Sequence, residues 1–67
     1  MYTFAERLRE LRSDAKISID ELSKKVCISV GSISRWENDK ADIKSKQLII
    51  LAKFFKVSTD YLLGIED

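Results

Sequence analysis

The side chains with the most chemistry to offer gather in the middle of the chain. From Lys24 to Lys46 there are six cations (Lys24, Lys25, Arg35, Lys40, Lys44 and Lys46) against three acids (Glu37, Asp39 and Asp42). Such a stretch suits an anionic partner, although charge alone describes a solvated surface equally well. The whole chain is nearly neutral, with 12 Lys plus Arg, 11 Asp plus Glu and a formal charge of +1. No strongly basic balance marks a nucleic-acid partner.

Covalent chemistry lacks its usual groups. The 67 residues include no His and one Cys, so no Ser-His or Cys-His nucleophile pair exists and no zinc site of the usual N/S type. A single Cys closes no internal disulfide. Cys27 reads as a small, half-buried packing residue, with a redox sensor as the alternative that Lys24 and Lys25 would favour. There is no convergent acid pair and no phosphate loop, so the chain is not expected to be an enzyme. No cofactor, metal or small-molecule ligand is implied. No apolar run approaches the ~20 residues of a membrane span. Residues 1–7, with Glu6 and Arg7, are charged and amphipathic rather than a signal peptide. A cytoplasmic binding module of one small domain, over 1–67, is the expectation.

The elements that must hold these groups are helical. The chain has no Pro, so nothing forbids a helix at any position. Thr3-Phe4-Ala5-Glu6 fits a capping box. Phe4, Leu8, Leu11 and Ala15 then recur at helical spacing, with Arg7, Arg9, Glu10 and Asp14 off the stripe as a solvated face. That predicts a helix over 4–15. Ser18-Ile19-Asp20-Glu21 repeats the capping box, and Leu22 and Val26 lie four apart, which predicts a helix over 19–26. Ser29 can cap a third helix in which Val30, Ile33, Trp36 and Glu37 share one side. It ends near Asn38 and Asp39, which tolerate left-handed backbone. Leu48, Leu51, Ala52 and Phe55 mark a fourth over 45–55. Ser58 caps a last short helix running to Leu63, and Gly64 ends it. The fold class is all-α, a compact five-helix bundle.

Two short helices joined by Cys27-Ile28-Ser29 have the spacing of a helix-turn-helix over about 18–38, in which the second helix can lie in a DNA major groove. Helix pairs of this size also occur in proteins that touch no nucleic acid. The residues themselves carry a closer likeness. Leu11-Arg12, Ile17 to Leu22, Ile28 to Asn38 (with Ser-Ile-Ser-Arg-Trp-Glu-Asn at its centre) and Val57 to Gly64 (closing in Asp-Tyr-Leu-Leu-Gly) resemble the Cro/phage-repressor (Xre) class of helix-turn-helix domains. The match runs from Leu11 to Gly64 without a gap.

The resemblance implies a lambda-repressor-like DNA-binding domain and assigns roles by position. Val30, Gly31, Ser34 and Arg35 would face base edges. Ser18, Ser29, Ser32, Asn38, Lys40 and Lys44 would lie along the phosphates. Ile33 and Trp36 would be core, and Arg12 with Glu37 would form a structural ion pair between the first and third helices. Physical chemistry agrees. A helix N-terminus offers amides to phosphate, and an Arg fork matches the O6 and N7 acceptors of guanine. Arg35 is the one long basic side chain on the predicted recognition helix. Val30 suits a thymine methyl.

Some positions depart from the family pattern. Ile19 stands where relatives commonly carry Gln, which removes a phosphate anchor. Gly31 stands where relatives often carry a base reader. Cys27, Asp39 and Lys56 stand where relatives often carry Gly at helix ends. Beyond the core stripe, the fourth helix and C-terminus hold surplus apolar residues: Ile49, Ile50, Phe54, Tyr61, Leu62, Leu63 and Ile65. Of these, Ile50, Phe54, Leu63 and Ile65 are dimer candidates, since the last helix of related repressors contributes to a dimer. The expectation is a regulator, foremost a repressor, that binds a palindromic double-stranded operator as a homodimer. The alternative is a protein-interaction or antitoxin-like module with weak or lost DNA specificity.

Overall fold

The computed structural model describes residues 3–65. Met1 and Tyr2, with the first part of the amphipathic stretch, lie outside the described residues, as do Glu66 and Asp67. Five helices follow one another: α1 (Phe4–Asp14), α2 (Ile19–Val26), α3 (Val30–Glu37), α4 (Ser45–Phe55) and α5 (Thr59–Leu62). The class is all-α, with no strand among the described residues. α1 and α5 each stop one residue short of the predicted end, with Ala15 and Leu63 as their C-caps.

The helices start where side-chain oxygens meet the first-turn amides. In α1 the Thr3 hydroxyl accepts the Glu6 N–H at 3.2 Å, and the Glu6 carboxylate accepts the Thr3 N–H at 3.1 Å. The Thr3 N–H, and after it the Thr3 hydroxyl, which also donates to the Glu6 carboxylate at 3.1 Å, hold the exposed Glu6 carboxyl below its ordinary value. A depressed carboxyl stabilises the fold above its unfolded pKa and stops doing so as pH falls through the folded one. Ser18 and Glu21 form the same reciprocal box on α2.

All five helices end on a left-handed residue. Lys16, Cys27, Asp39 and Lys56 have φ between 57° and 59°, and Gly64 has φ 81°. After each, the next N–H reaches a carbonyl five residues back: Ile17 to Arg12, Ile28 to Ser23, Lys40 to Arg35, Val57 to Ala52 and Ile65 to Asp60. This is the Schellman closure, which satisfies otherwise orphaned carbonyls. Lys16 was not anticipated in this geometry. Its signal was Ile17, an apolar residue just past the helix end, which is half-buried against the core. A non-glycine residue in this region carries strain that glycine would relieve, partly offset by the freer unfolded chain. Lys56→Gly is therefore expected to raise the unfolding free energy by about 0.5–1 kcal/mol, and Gly64→Ala to lower it by about 1 kcal/mol. Urea titrations of the two variants check both signs.

One core draws on every helix: Leu8, Leu22, Val26, Ile28, Ile33, Trp36, Leu48, Leu51, Ala52 and Leu62. α1 packs on α3 and α5, α2 on α3 and α4, and α4 on α5. Ile28 buries its side chain from within the turn between α2 and α3, and the Ser23 hydroxyl donates to its carbonyl at 2.5 Å. Three expectations are corrected. Arg7, placed on a solvated face, is only 4% exposed, with its guanidinium carbon 3.9 Å from the centroid of the Tyr61 ring. Packing of α5 on α1 covers that flank, and a long stem with a stacking head tolerates burial. Ala15, placed on the apolar stripe, is exposed, because α1 has already ended. Cys27 is exposed rather than half-buried, since left-handed backbone at the corner turns it outward while Ile28 fills the core.

The apolar surplus divides. Leu62 is fully buried, and Phe54 and Leu63 are half-buried against the core. Ile49, Ile50 and Ile65 stay exposed, Ile65 at 71%. No helix among the described residues is long and apolar enough to cross a membrane.

Candidate nucleic-acid interface

α3 is split lengthwise by its own periodicity. Ile33, Trp36 and Glu37 are buried, whereas Val30, Gly31 and Arg35 are exposed and Ser32 and Ser34 half-exposed. Residues 31, 34 and 35 therefore share the outward face, as a 3.6-residue period requires. Val30, expected on the side of Ile33, Trp36 and Glu37, is instead 42% exposed, at the boundary between the two faces in the first turn. The inner face is anchored by Ile33, which has no exposed surface, and by Trp36, which meets Phe4 edge to face with centroids 6.4 Å apart.

The start of α3 is closed by serine. The Ser29 hydroxyl oxygen accepts the Ser32 N–H at 3.2 Å, and its proton goes to the Ser32 hydroxyl at 2.9 Å. No acid stands in this first turn, so the positive end of the helix dipole is not offset. α2 differs: Asp20 and Glu21 stand in its first turn beside Ser18. The Ser18 hydroxyl accepts the Glu21 N–H at 3.0 Å, which leaves its own proton to donate outward.

The far end of α3 is fastened to α1. Arg12 holds Glu37 with two bonds, Nε to Oε2 at 2.7 Å and Nη2 to Oε1 at 3.0 Å, and its Nη1 donates to the Ile17 carbonyl at 2.9 Å. That fork-on-carboxylate geometry is the strong form of an ion pair. The bonds to Glu37, more than the opposing burial, raise the Arg12 guanidinium further above its already high ordinary value. Arg9 adds a bond to the Glu37 carbonyl at 2.8 Å. Arg9 is exposed, as its place off the apolar stripe predicts, and still reaches across to α3. Its i, i+3 relation to Arg12 was the available signal.

Beyond α3, Asn38 and Lys40 are exposed. The Asn38 amide donates to the Ser34 carbonyl at 2.7 Å and, at the longer distance of 3.5 Å, to the Ser34 hydroxyl. Lys44 is the exposed N-cap of α4, which has no side-chain cap and no acid in its first turn. Lys44 and Lys46 thus stand at a positive dipole end, an arrangement that costs stability until an anion arrives. A surface cleft is lined by Ser32, Arg35, Trp36, Ala41, Asp42, Lys44 and Gln47. It joins three of the singled-out residues, Ser32, Arg35 and Lys44. Val30, Gly31, Ser34, Asn38, Lys40, Ser18 and Ser29 are not among its walls. Asp42 and Gln47 were not anticipated there. Gln47 holds the same place in α4 that Glu6 and Glu21 hold in their capping boxes, three residues past the N-cap.

Comparison with known proteins gives these surfaces a context. The helix-turn-helix family pattern matches residues 8–62. The chain is 34% identical over 64 residues to the HTH-type transcriptional regulator YobD of Bacillus subtilis, covering 96% of this chain and 57% of that protein. It is 33% identical over 64 residues to the HTH-type transcriptional activator BcrR of Enterococcus faecalis, covering 96% of this chain and 31% of that one. The chain thus spans only part of the curated relatives' length. In structure it resembles the P22 c2 repressor protein, solved in complex with a synthetic operator in the presence of Tl+, with a TM-score of 0.89 and 33% identity over 98% of this chain and 100% of that one. With that pattern over most of its length and the architecture of a phage repressor domain, the chain belongs to the helix-turn-helix family of transcriptional regulators, non-enzymatic DNA-binding proteins of the Cro/C1 repressor type.

Proposed function

We propose that this chain is the sequence-reading part of a cytoplasmic transcriptional regulator that binds double-stranded DNA through the major groove. The observation that carries this reading is the outward face of α3. It presents Arg35, Val30 and Ser34 around the bare backbone of Gly31, with Ile33, Trp36 and Glu37 holding the helix from behind. Arg35 reads guanine and Val30 meets a thymine methyl. Ser18, Ser29, Ser32, Asn38, Lys40 and Lys44 position the backbone. The uncapped, lysine-flanked start of α4 supports a phosphate there. Two copies bind, with Ile50, Phe54, Leu63 and Ile65 at the contact between them. Their recognition helices would then meet half-sites about one helical turn, ~34 Å, apart on a palindromic operator. Repression follows from occupying a promoter.

The test is selection from random duplex DNA at near-physiological salt, then titration of the enriched duplex against scrambled DNA. An inverted repeat is the expected product, with a log–log salt slope of about −0.9 per phosphate contacted. Lys40→Ala is expected to weaken every sequence alike and to reduce that slope by about 1. Unchanged binding after Lys40→Ala would take Lys40 off the backbone track. No enrichment at all would sink the DNA reading and leave exposed Ile49, Ile50 and Ile65 as the functional surface, that of a protein-interaction module.

A further inference from the structure

Gly31 and Arg35 lie one turn apart on α3, and the geometry couples them. A Cβ built at Gly31 would sit 3.8 Å from Nη2 of Arg35, and among the described residues no other atom beyond its chain neighbours and the backbone of α3 lies within 4 Å. Long side chains on a helix lean toward its N-terminus and cover the turn before their own Cα. The Arg35 guanidinium does so here, over the one residue of α3 that has no side chain. The residue also lines the cleft that holds Asp42 and Lys44. The guanidinium therefore has an open seat toward the start of α3.

We propose that Gly31 is a positioning residue, whose lack of a side chain seats the Arg35 guanidinium along the outward face of α3 and so decides which base Arg35 reads. This rests on the DNA-reading function above. A lone Cβ meets Nη2 at ordinary contact distance and leaves the seat usable. A side chain with γ and δ carbons fills it and displaces the guanidinium. The absence of a reader at position 31 is then what gives the reader at position 35 its aim.

Gly31→Ala and Gly31→Leu test this, each alone and with Arg35→Ala. Both introduce good helix formers, and thermal melts verify folding. Gly31→Ala is expected to lose less affinity for the enriched sequence than Gly31→Leu, and an equal loss would overturn the seating. Gly31→Leu is expected to lose about tenfold or more in affinity for it, with relaxed preference at one base position, as loss of a bidentate contact would. In the Arg35→Ala background, Gly31→Leu is expected to do nothing further. A loss that persists there means the leucine itself strikes DNA, and overturns the seating. A DNA-free measurement separates the seating from the parent reading. The nuclear Overhauser contact between the Arg35 guanidinium and the Gly31 Hα protons is expected in the free domain, and its absence overturns the seating whatever DNA does. If the wild-type chain enriches no sequence, the DNA reading and this inference fall together.

Discussion

Glu37→Ala is expected to lower the unfolding free energy by about 2–3 kcal/mol, and the melting temperature by about 10–20 °C for a domain of this size. The Glu37 side chain is 5% exposed and that of Arg12 20%. Removing the carboxylate leaves the guanidinium with the Ile17 carbonyl as its remaining partner, close to an apolar core. A fully buried pair broken this way costs about 3–5 kcal/mol, and the partial exposure of Arg12 places this one lower. A chain of 67 residues has only roughly 3–10 kcal/mol in all, so the loss is a large share. Arg12→Met with Glu37→Leu should recover most of it, because no charge is then left unpaired. The raised guanidinium of Arg12 contributes stability that is complete below its unfolded pKa. That contribution fades only as pH rises through the higher folded value, beyond the usual alkaline range, so the Arg12 side of the pair is constant across ordinary buffers. Urea denaturation of the two single variants and the double checks the set. A single-variant change under about 0.5 kcal/mol, the level of a neutral surface substitution, would show that the pair is only ornamental.

The second large effect belongs to DNA. Arg35→Ala is expected to cost about 1–3 kcal/mol on the enriched duplex, a loss of about 5- to 150-fold, and to erase preference at one base position. Arg35 is exposed, so folding stability should move by no more than about 0.5 kcal/mol. The two variants are thus opposites. Glu37→Ala disturbs how α3 is held without touching its outward face, whereas Arg35→Ala strips that face and leaves the helix in place. Competition titrations against specific and random duplexes decide the role of Arg35. Equal losses on both would reduce it to a phosphate contact, because a phosphate contact carries no sequence information.

Taken by itself, the sequence determined what short-range interactions decide. The capping boxes of Thr3 with Glu6 and Ser18 with Glu21 join residues three apart. The α4 stripe of Leu48, Leu51 and Ala52 lies on one helix and is buried. The two short helices with their three-residue turn were legible for the same reason, as were the left-handed ends at Asp39 and Gly64, whose residue types favour that backbone. Only the tertiary structure decided which polar stem is covered, because that depends on where one helix lies on another. Arg7 is buried by Tyr61 of α5, and the Arg9 bond to Glu37 spans 28 residues of chain. A 3.6-residue period ranks the faces of one helix and is silent about its neighbour. The cleft of Ser32, Arg35, Asp42 and Lys44 likewise exists only because the segment leading into α4 returns beside α3. The seat of Arg35 over Gly31 lies between these limits. Its spacing is written in the chain, but the outward direction of that face was settled by the burial of Ile33, Trp36 and Glu37 behind it.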